Sequence, residues 1–155
     1  MPARWPRPTF FIAIVLAIAL DQLTKTWAMV SLQPLRSVTL VPGFFNLTYL
    51  QNTGIAFGMF QGKGLLIGLF VAALAVIALY YVRDLNWSGW EPNLVGGCLC
   101  GGALGNLVDR ARLGYVVDFF DVHWGPHHWP YFNVADSLIC ITVGWIVLRQ
   151  LRSGK

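Results

Sequence analysis

Residues 9–32 read TFFIAIVLAIALDQLTKTWAMVSL. The first half, TFFIAIVLAIAL, is uncharged and apolar on every side of any helix it forms. A chain of 155 residues has too little interior to bury such a helix all round in water. As a helix the whole stretch is about 36 Å long, enough to cross a hydrocarbon core of about 30 Å. Asp21 and Lys25 interrupt its second half at a spacing of four, so they share one helix face. Polar side chains in a membrane helix turn towards a bundle interior or a wet cavity. The reading is a retained first membrane span whose polar side meets other helices, although Arg4 and Arg7 ahead of it imitate a signal peptide. No small-residue cleavage site follows the run.

The composition agrees. Hydrophobic residues make up 56% and charged residues 12%, against the roughly 25% charged that is usual in soluble domains. Mean hydropathy is +0.58, which excludes disorder. The net charge of +4 does not indicate nucleic acid, because the basic residues flank apolar runs instead of clustering on one surface. Cys98, Cys100 and Cys140 all lie in apolar segments and read as packing residues, not as a disulfide framework.

Three further spans follow, at about 64–82, 93–110 and 132–150, giving an all-α four-transmembrane-helix bundle in a single domain, 1–155. The last two are short or polar at one end, and a two-span chain is the fallback count. Gly97, Gly101 and Gly105 recur at spacing four, the small-residue stripe that lets membrane helices approach closely. With four spans, Arg4, Arg7, Arg83, Arg149, Arg152 and Lys155 fall on one side, which makes both termini cytoplasmic. The outer segments are then about 33–63 and 113–131. The first contains FNLTYLQ (45–51), with the period-two texture of a strand, and predicts a small extracytoplasmic β-rich cradle. The second, with Gly125-Pro126 and interfacial Trp and Tyr, predicts a loop or short helix.

This topology gathers polar residues at the outer face. Asn106, Asp109 and Arg110 leave the third span there, Asn133 and Asp136 enter the fourth at the same level, and Asp118 and Asn52 lie in the outer segments. Asp21 with Lys25 reads as a neutralising structural pair. Asp109, Asp118 and Asp136 outnumber the nearby cation Arg110, so at least one carboxylate is left without a partner. Two carboxylates held together in low-dielectric surroundings share a proton and can act on water as acid and base, with no metal or other cofactor. Asp121, His123, His127 and His128 form an alternative metal set, but their spacing matches no zinc motif, and an interfacial aromatic-histidine loop is the plainer reading. No G-x-S-x-G is present for serine chemistry, and the Asn46-Leu47-Thr48 sequon carries no activity.

With those residues placed, the chain resembles the bacterial lipoprotein signal peptidase (signal peptidase II) family over nearly its whole length. The motifs are DQLTK (21–25), QNTGIAFGMF (51–60), GGALGNLVDR (101–110), VVDFFDV (116–122) and FNVADS (132–137). The resemblance implies an aspartyl endopeptidase of the bacterial plasma membrane that cleaves diacylglyceryl-modified prolipoproteins on the N-terminal side of the lipidated cysteine. Asp118 and Asp136 match its catalytic pair. Asp21, Lys25, Asn52, Gly54, Asn106, Arg110, Asn133 and Ala135 match its supporting or substrate-contacting positions, and Asp109 is assigned to structural support beside Arg110. The partners implied are prolipoprotein substrates and membrane lipids, with the protein acting as a monomer. HWGPHHWPY (123–131) is unusually aromatic and reads as part of a cover over the site. The rival class is a small polytopic ion or solute transporter using intramembrane Asp and Lys, though no inverted repeat supports it. A structural assembly factor would explain the glycine stripe but not the carboxylates.

Overall fold

The computed structural model describes residues 6–54 and 87–153. The expected second span, 64–82, lies outside the described residues, as do residues 55–60 of the QNTGIAFGMF motif. The described helices are α1 (Pro8–Ser31), α2 (Trp90–Leu113) and α3 (Val134–Ser153). All three are long enough for about 30 Å of hydrocarbon; among the described residues, only α1 also has the apolar composition of a span along its length.

Local chemistry sets the helix ends. Pro8 opens α1, where its missing N–H costs nothing, and the Leu32 N–H closes it on Ala28 O. Glu91 lies in the first turn of α2, and Arg110 and Arg112 lie in its last turn, each complementing the helix dipole. Gly114 stops α2 at φ 80°, donating its N–H to Arg110 O, a conformation that other residues adopt at a cost.

Burial is inverted relative to a soluble protein. Large apolar side chains face outward, among them Leu23, Val30, Ile141 and Leu151, each more than two-thirds exposed. The helix interfaces are instead small and polar: Ala13, Ala17, Asp21, Lys25 and Ala28 on α1, and Gly97, Gly101, Gly105, Asn106 and Asp109 on α2. The two stripes mesh one to one. A Cβ on Gly97 would sit 2.6 Å from the Ala13 Cβ, one on Gly101 2.6 Å from the Ala17 Cβ, and one on Gly105 2.5 Å from Asp21 Oδ2. On the other side of α2, a Cβ on Gly102 would come within 2.8 Å of Ala135 O in α3. The glycine stripe therefore brings α2 against α1 on one side and α3 on the other.

Between α1 and α2 the chain forms β1 (Ser37–Val41) and β2 (Phe45–Asn52), and between α2 and α3 it forms β3 (Val116–Trp124) and β4 (His127–His128). The strands lie in the order β1-β2-β3-β4, all antiparallel. FNLTYLQ falls inside β2 as expected. The segment 113–131, expected as a loop or short helix, instead supplies the central strand β3. The strand reading there is favoured by the Val- and Phe-rich run VVDFF and by the existing edge of β2, whose Leu47 and Asn52 pair with Phe120 and Val116. Val117 and Phe119 pack on Ala28 and Leu32 of α1, seating the sheet on the helix ends.

Gly101→Ala is expected to lower Tm in detergent. The added methyl meets a rigid neighbour, and overpacking of about 1–3 kcal/mol outweighs a helix-propensity gain of at most about 1 kcal/mol. Gly144→Ala on α3, where a Cβ has nothing within 4 Å, is expected to leave Tm unchanged or raised. Equal shifts in the two variants would refute the close-packing account.

Candidate active site

The site has two polar layers. The deeper one centres on Lys25, which is 1% exposed and comes from the α1 face opposite the exposed apolar side chains. Its ammonium lies 2.8 Å from Asp21 Oδ2, 3.0 Å from Asp109 Oδ2 and 2.8 Å from Asn106 Oδ1. An ammonium has three N–H groups, so its capacity is filled. The carboxylates are satisfied in turn. Asp21 Oδ1 accepts the Ala135 N–H at 3.0 Å, and Asp109 accepts the Val117 N–H at 3.1 Å and Gln22 Nε2 at 2.8 Å. Among the described residues, no buried side-chain nitrogen or oxygen lacks a partner.

The second layer starts at α3. Asn133 stands just before the helix and accepts the Asp136 N–H on Oδ1 at 3.0 Å, while Asp136 Oδ2 accepts the Asn133 N–H at 3.2 Å. This reciprocal pair is a capping box, with the carboxylate of Asp136 as one half. Asn133 Nδ2 donates to Asp118 Oδ1 on β3 at 2.7 Å. Asp118 Oδ2 accepts Asn52 Nδ2 from the end of β2 at 2.8 Å, and Asp136 Oδ1 accepts Asn106 Nδ2 at 2.7 Å. Asn52 Oδ1 in turn accepts the Gly54 N–H at 3.0 Å. Asn133 thus touches both carboxylates.

Asp118 and Asp136 line a cleft of about 390 Å³ with Asn52, Asn106 and Arg110. Trp129, Pro130 and Tyr131 wall it on the sheet side, and Ala103, Ile139 and Cys140 on the helix side. Burial and then the neighbouring charge of Asp136 push the Asp118 carboxyl up to about 7, against the opposing donors Asn52 and Asn133 and the charge of Lys25. This carboxyl therefore keeps its proton to higher pH than an ordinary aspartate does. Arg110 does not clamp either acid: its guanidinium donates to Gly54 O at 3.0 Å and to Asn106 O at 3.3 Å. It holds the chain after β2 beside the cleft.

Asp109, assigned to structural support, binds Lys25 and not the adjacent Arg110, since adjacent helix residues point about 100° apart. The carboxylate excess is accordingly met by a second cation, Lys25, which sequence counting left with Asp21 alone. Of the alternative metal set, Asp121, His123 and His128 gather on the outer side of the sheet, but His127 pairs with Trp124, one register position away. His128 Nδ1 lies 2.6 Å from Asp121 Oδ1, and Asn46 and Thr48 also bond Asp121. Burial raises the Asp121 carboxyl, but these partners outweigh it and hold it below the usual carboxylate range. Among the described residues, no group of three or more His, Cys, Asp or Glu is placed to hold a metal ion.

Two contributions escaped the sequence reading. Gln22 joins Asp109 to Arg112, accepting from the Arg112 guanidinium at 3.2 Å; its place beside Asp21 was the available signal. The segment 123–131 was read as part of a cover, and Trp129, Pro130 and Tyr131 of it line the cleft; the pairing of β3 with β4, which the sequence did not disclose, precedes them.

A bundle with apolar outer faces and two carboxylates on one cleft belongs with membrane enzymes. The solved structures agree: two structures titled as bacterial membrane enzymes match with TM-scores of 0.85 and 0.78, at 29% and 30% identity. They cover 100% and 97% of this chain, and 94% and 97% of their own. The family model described as signal peptidase (SPase) II matches residues 13–152. The lipoprotein signal peptidase of Syntrophotalea carbinolica is 42% identical over 90% of this chain and 88% of its own. That of Shewanella piezotolerans is 38% identical over 100% and 94%. The chain belongs to the signal peptidase II family, which sets it among aspartic peptidases and not among the transporters considered above.

The Asp118 environment generates a stability prediction. Its carboxyl titrates near 7 in the fold and near 3.9 when unfolded, so the fold favours the protonated form. That contribution is full below about pH 4 and is lost as pH rises to about 7. Tm of the wild type is expected to fall between pH 5 and 8, and Asp118→Asn to fall less steeply. Parallel slopes would show that Asp118 carries no such shift.

Proposed function

We propose that Asp118 and Asp136 form the catalytic pair of an endopeptidase that removes the signal peptide of diacylglyceryl-modified prolipoproteins, cutting on the N-terminal side of the lipidated cysteine. The observation that carries the reading is the convergence of both carboxylates on one cleft, joined through Asn133. One carboxylate deprotonates a water that attacks the scissile carbonyl. The other, protonated, donates to the developing oxyanion and then passes its proton to the leaving amine. Asp118, whose carboxyl is raised by burial and by the charge of Asp136, suits the acid role. Asn52, Asn106 and Asn133 hold the carboxylate oxygens, Gly54 and Arg110 border the cleft, and Asp21, Lys25, Asp109 and Ala135 anchor the layer below.

In this reading the chain is a single domain of four spans in the plasma membrane, with 64–82 as the second span and both termini cytoplasmic. The cleft then opens at the extracytoplasmic face. A lipid-anchored cysteine in the outer leaflet brings its scissile bond to that level while the signal peptide descends along the helices. The enzyme acts as a monomer, because both carboxylates come from one chain. Trp129 and Tyr131 cover the cleft and restrict water to the reacting end.

The test is cleavage of a diacylglyceryl-modified prolipoprotein by purified protein in detergent. Asp118→Asn and Asp136→Asn are each expected to lower kcat by roughly 10³-fold or more with the fold retained, and chelator to have no effect. Activity surviving either substitution removes that residue from the pair, and loss with chelator redirects attention to Asp121, His123, His127 and His128.

The pH profile gives a second check. The Asn52 amide stabilises the Asp118 carboxylate and holds its titration down, so Asn52→Ala is expected to move the alkaline limb of kcat/KM to higher pH. An unmoved limb would mean that Asp118 does not set it.

A further inference from the structure

Asn106 stands between the two layers. Its Oδ1 lies 2.8 Å from Lys25 Nζ and 3.1 Å from Asn133 Nδ2, and its Nδ2 lies 2.7 Å from Asp136 Oδ1. The two ends of a primary amide have nearly the same shape, so packing alone does not choose which end faces which neighbour; only the hydrogen-bond partners do. An ammonium has no acceptor and a carboxylate anion has no donor. With Lys25 on one side and Asp136 on the other, one orientation makes every contact favourable. The flipped amide sets N–H against the ammonium and its oxygen against the carboxylate.

The choice propagates. With Asn106 Oδ1 turned inward, Asn133 Nδ2 has an acceptor beside it and is free to donate to Asp118 Oδ1 as well. Asn133 Oδ1 remains on the Asp136 N–H. Lys25 itself is 1% exposed, does not line the cleft, and is held in place by Asp21 and Asp109.

We propose that Lys25 is a positioning residue for peptide cleavage, acting through Asn106, whose amide it locks in the orientation that aims a donor at Asp136. The inference rests on the reading of Asp118 and Asp136 as the catalytic pair. Without the ammonium, only Asn133 Nδ2 and the Asp136 carboxylate are left to orient Asn106; the flipped amide no longer meets a like charge, its population rises, and in it Asp136 loses a donor and meets a repelling oxygen. The cost falls on the chemical step and not on substrate binding, because Lys25 does not itself line the cleft and touches its lining through Asn106.

A double-mutant cycle on kcat and KM tests this, using purified wild type, Lys25→Met, Asn106→Ala and the Lys25→Met/Asn106→Ala double variant on a lipid-modified prolipoprotein. Lys25→Met and Asn106→Ala are each expected to lower kcat roughly 10²-fold with KM within about 3-fold of wild type. The double variant is expected to be no slower than Asn106→Ala alone, the non-additivity of residues acting in series. Multiplied losses in the double variant would overturn the proposal, and so would a Lys25→Met effect confined to KM. Lys25→Met/Asp21→Asn/Asp109→Asn removes the buried ammonium together with both carboxylates it binds and protects against simple unfolding. It is expected to fold and to show the same kcat loss; wild-type kcat in that variant would also overturn the proposal. Asp136→Asn runs in parallel. A wild type that cleaves, a dead Asp136→Asn and multiplied losses would sink this inference alone, whereas a folded wild type that fails to cleave would sink the catalytic reading with it.

Discussion

A buried ammonium has to be surrounded, and much of this structure follows from surrounding Lys25. In low-dielectric surroundings an unpaired charge costs several kcal/mol at least, so the fold must deliver acceptors to a point inside a helix bundle. It takes one from α1 itself, at Asp21, and two from α2, at Asn106 and Asp109. Delivery within 3 Å is possible because α2 presents glycine towards α1: a Cβ on Gly105 would collide with the Asp21 carboxylate that Lys25 binds. The glycine stripe and the ion cluster are therefore parts of one arrangement. Close helix approach shortens the reach of the polar groups, and their attraction holds the helices together where lipid gives no hydrophobic drive.

The same cluster organises what lies above it. Asp21 accepts the Ala135 N–H and Asp109 accepts the Val117 N–H, so two buried carboxylates on α1 and α2 fix the start of α3 and the start of β3. Those are the segments that carry Asp136 and Asp118. The two acids meet at one cleft because their backbones are each pinned by a carboxylate one layer down. That linkage places residues 114 positions apart in sequence in direct contact, which no local pattern in the chain discloses.

Much of this was legible beforehand. The apolar run at 9–32 and the spacing of Asp21 and Lys25 led to a helix with one polar face, and the observed α1 runs Pro8–Ser31 with both residues buried. The Gly97, Gly101, Gly105 spacing led to a close helix contact, and FNLTYLQ led to a strand. Asn133 and Asp136, expected at one level where the last span begins, are joined there by a capping box. Illegible parts depended on pairing across long separations. VVDFFDVHW carries hydrophobic residues without strict alternation, because Asp118 and Asp121 fall on opposite faces of β3, so only its place beside β2 makes it a strand. Counting carboxylates against Arg110 left the partner of Asp109 open. The partner came from a different helix, and charge counting along the sequence has no access to such a choice.

The capping box at the head of α3 ties two fates together. Asp136 closes off an otherwise unsatisfied backbone N–H at a helix start and also faces the cleft. Most residues that line a cleft can change while the scaffold stays intact. Here, replacing Asp136 also loosens the first turn of the helix that presents it, and Asn133, the other half of the box, is bound by the same constraint. The part of the cleft with the least evolutionary freedom is thus the one whose atoms also start a helix.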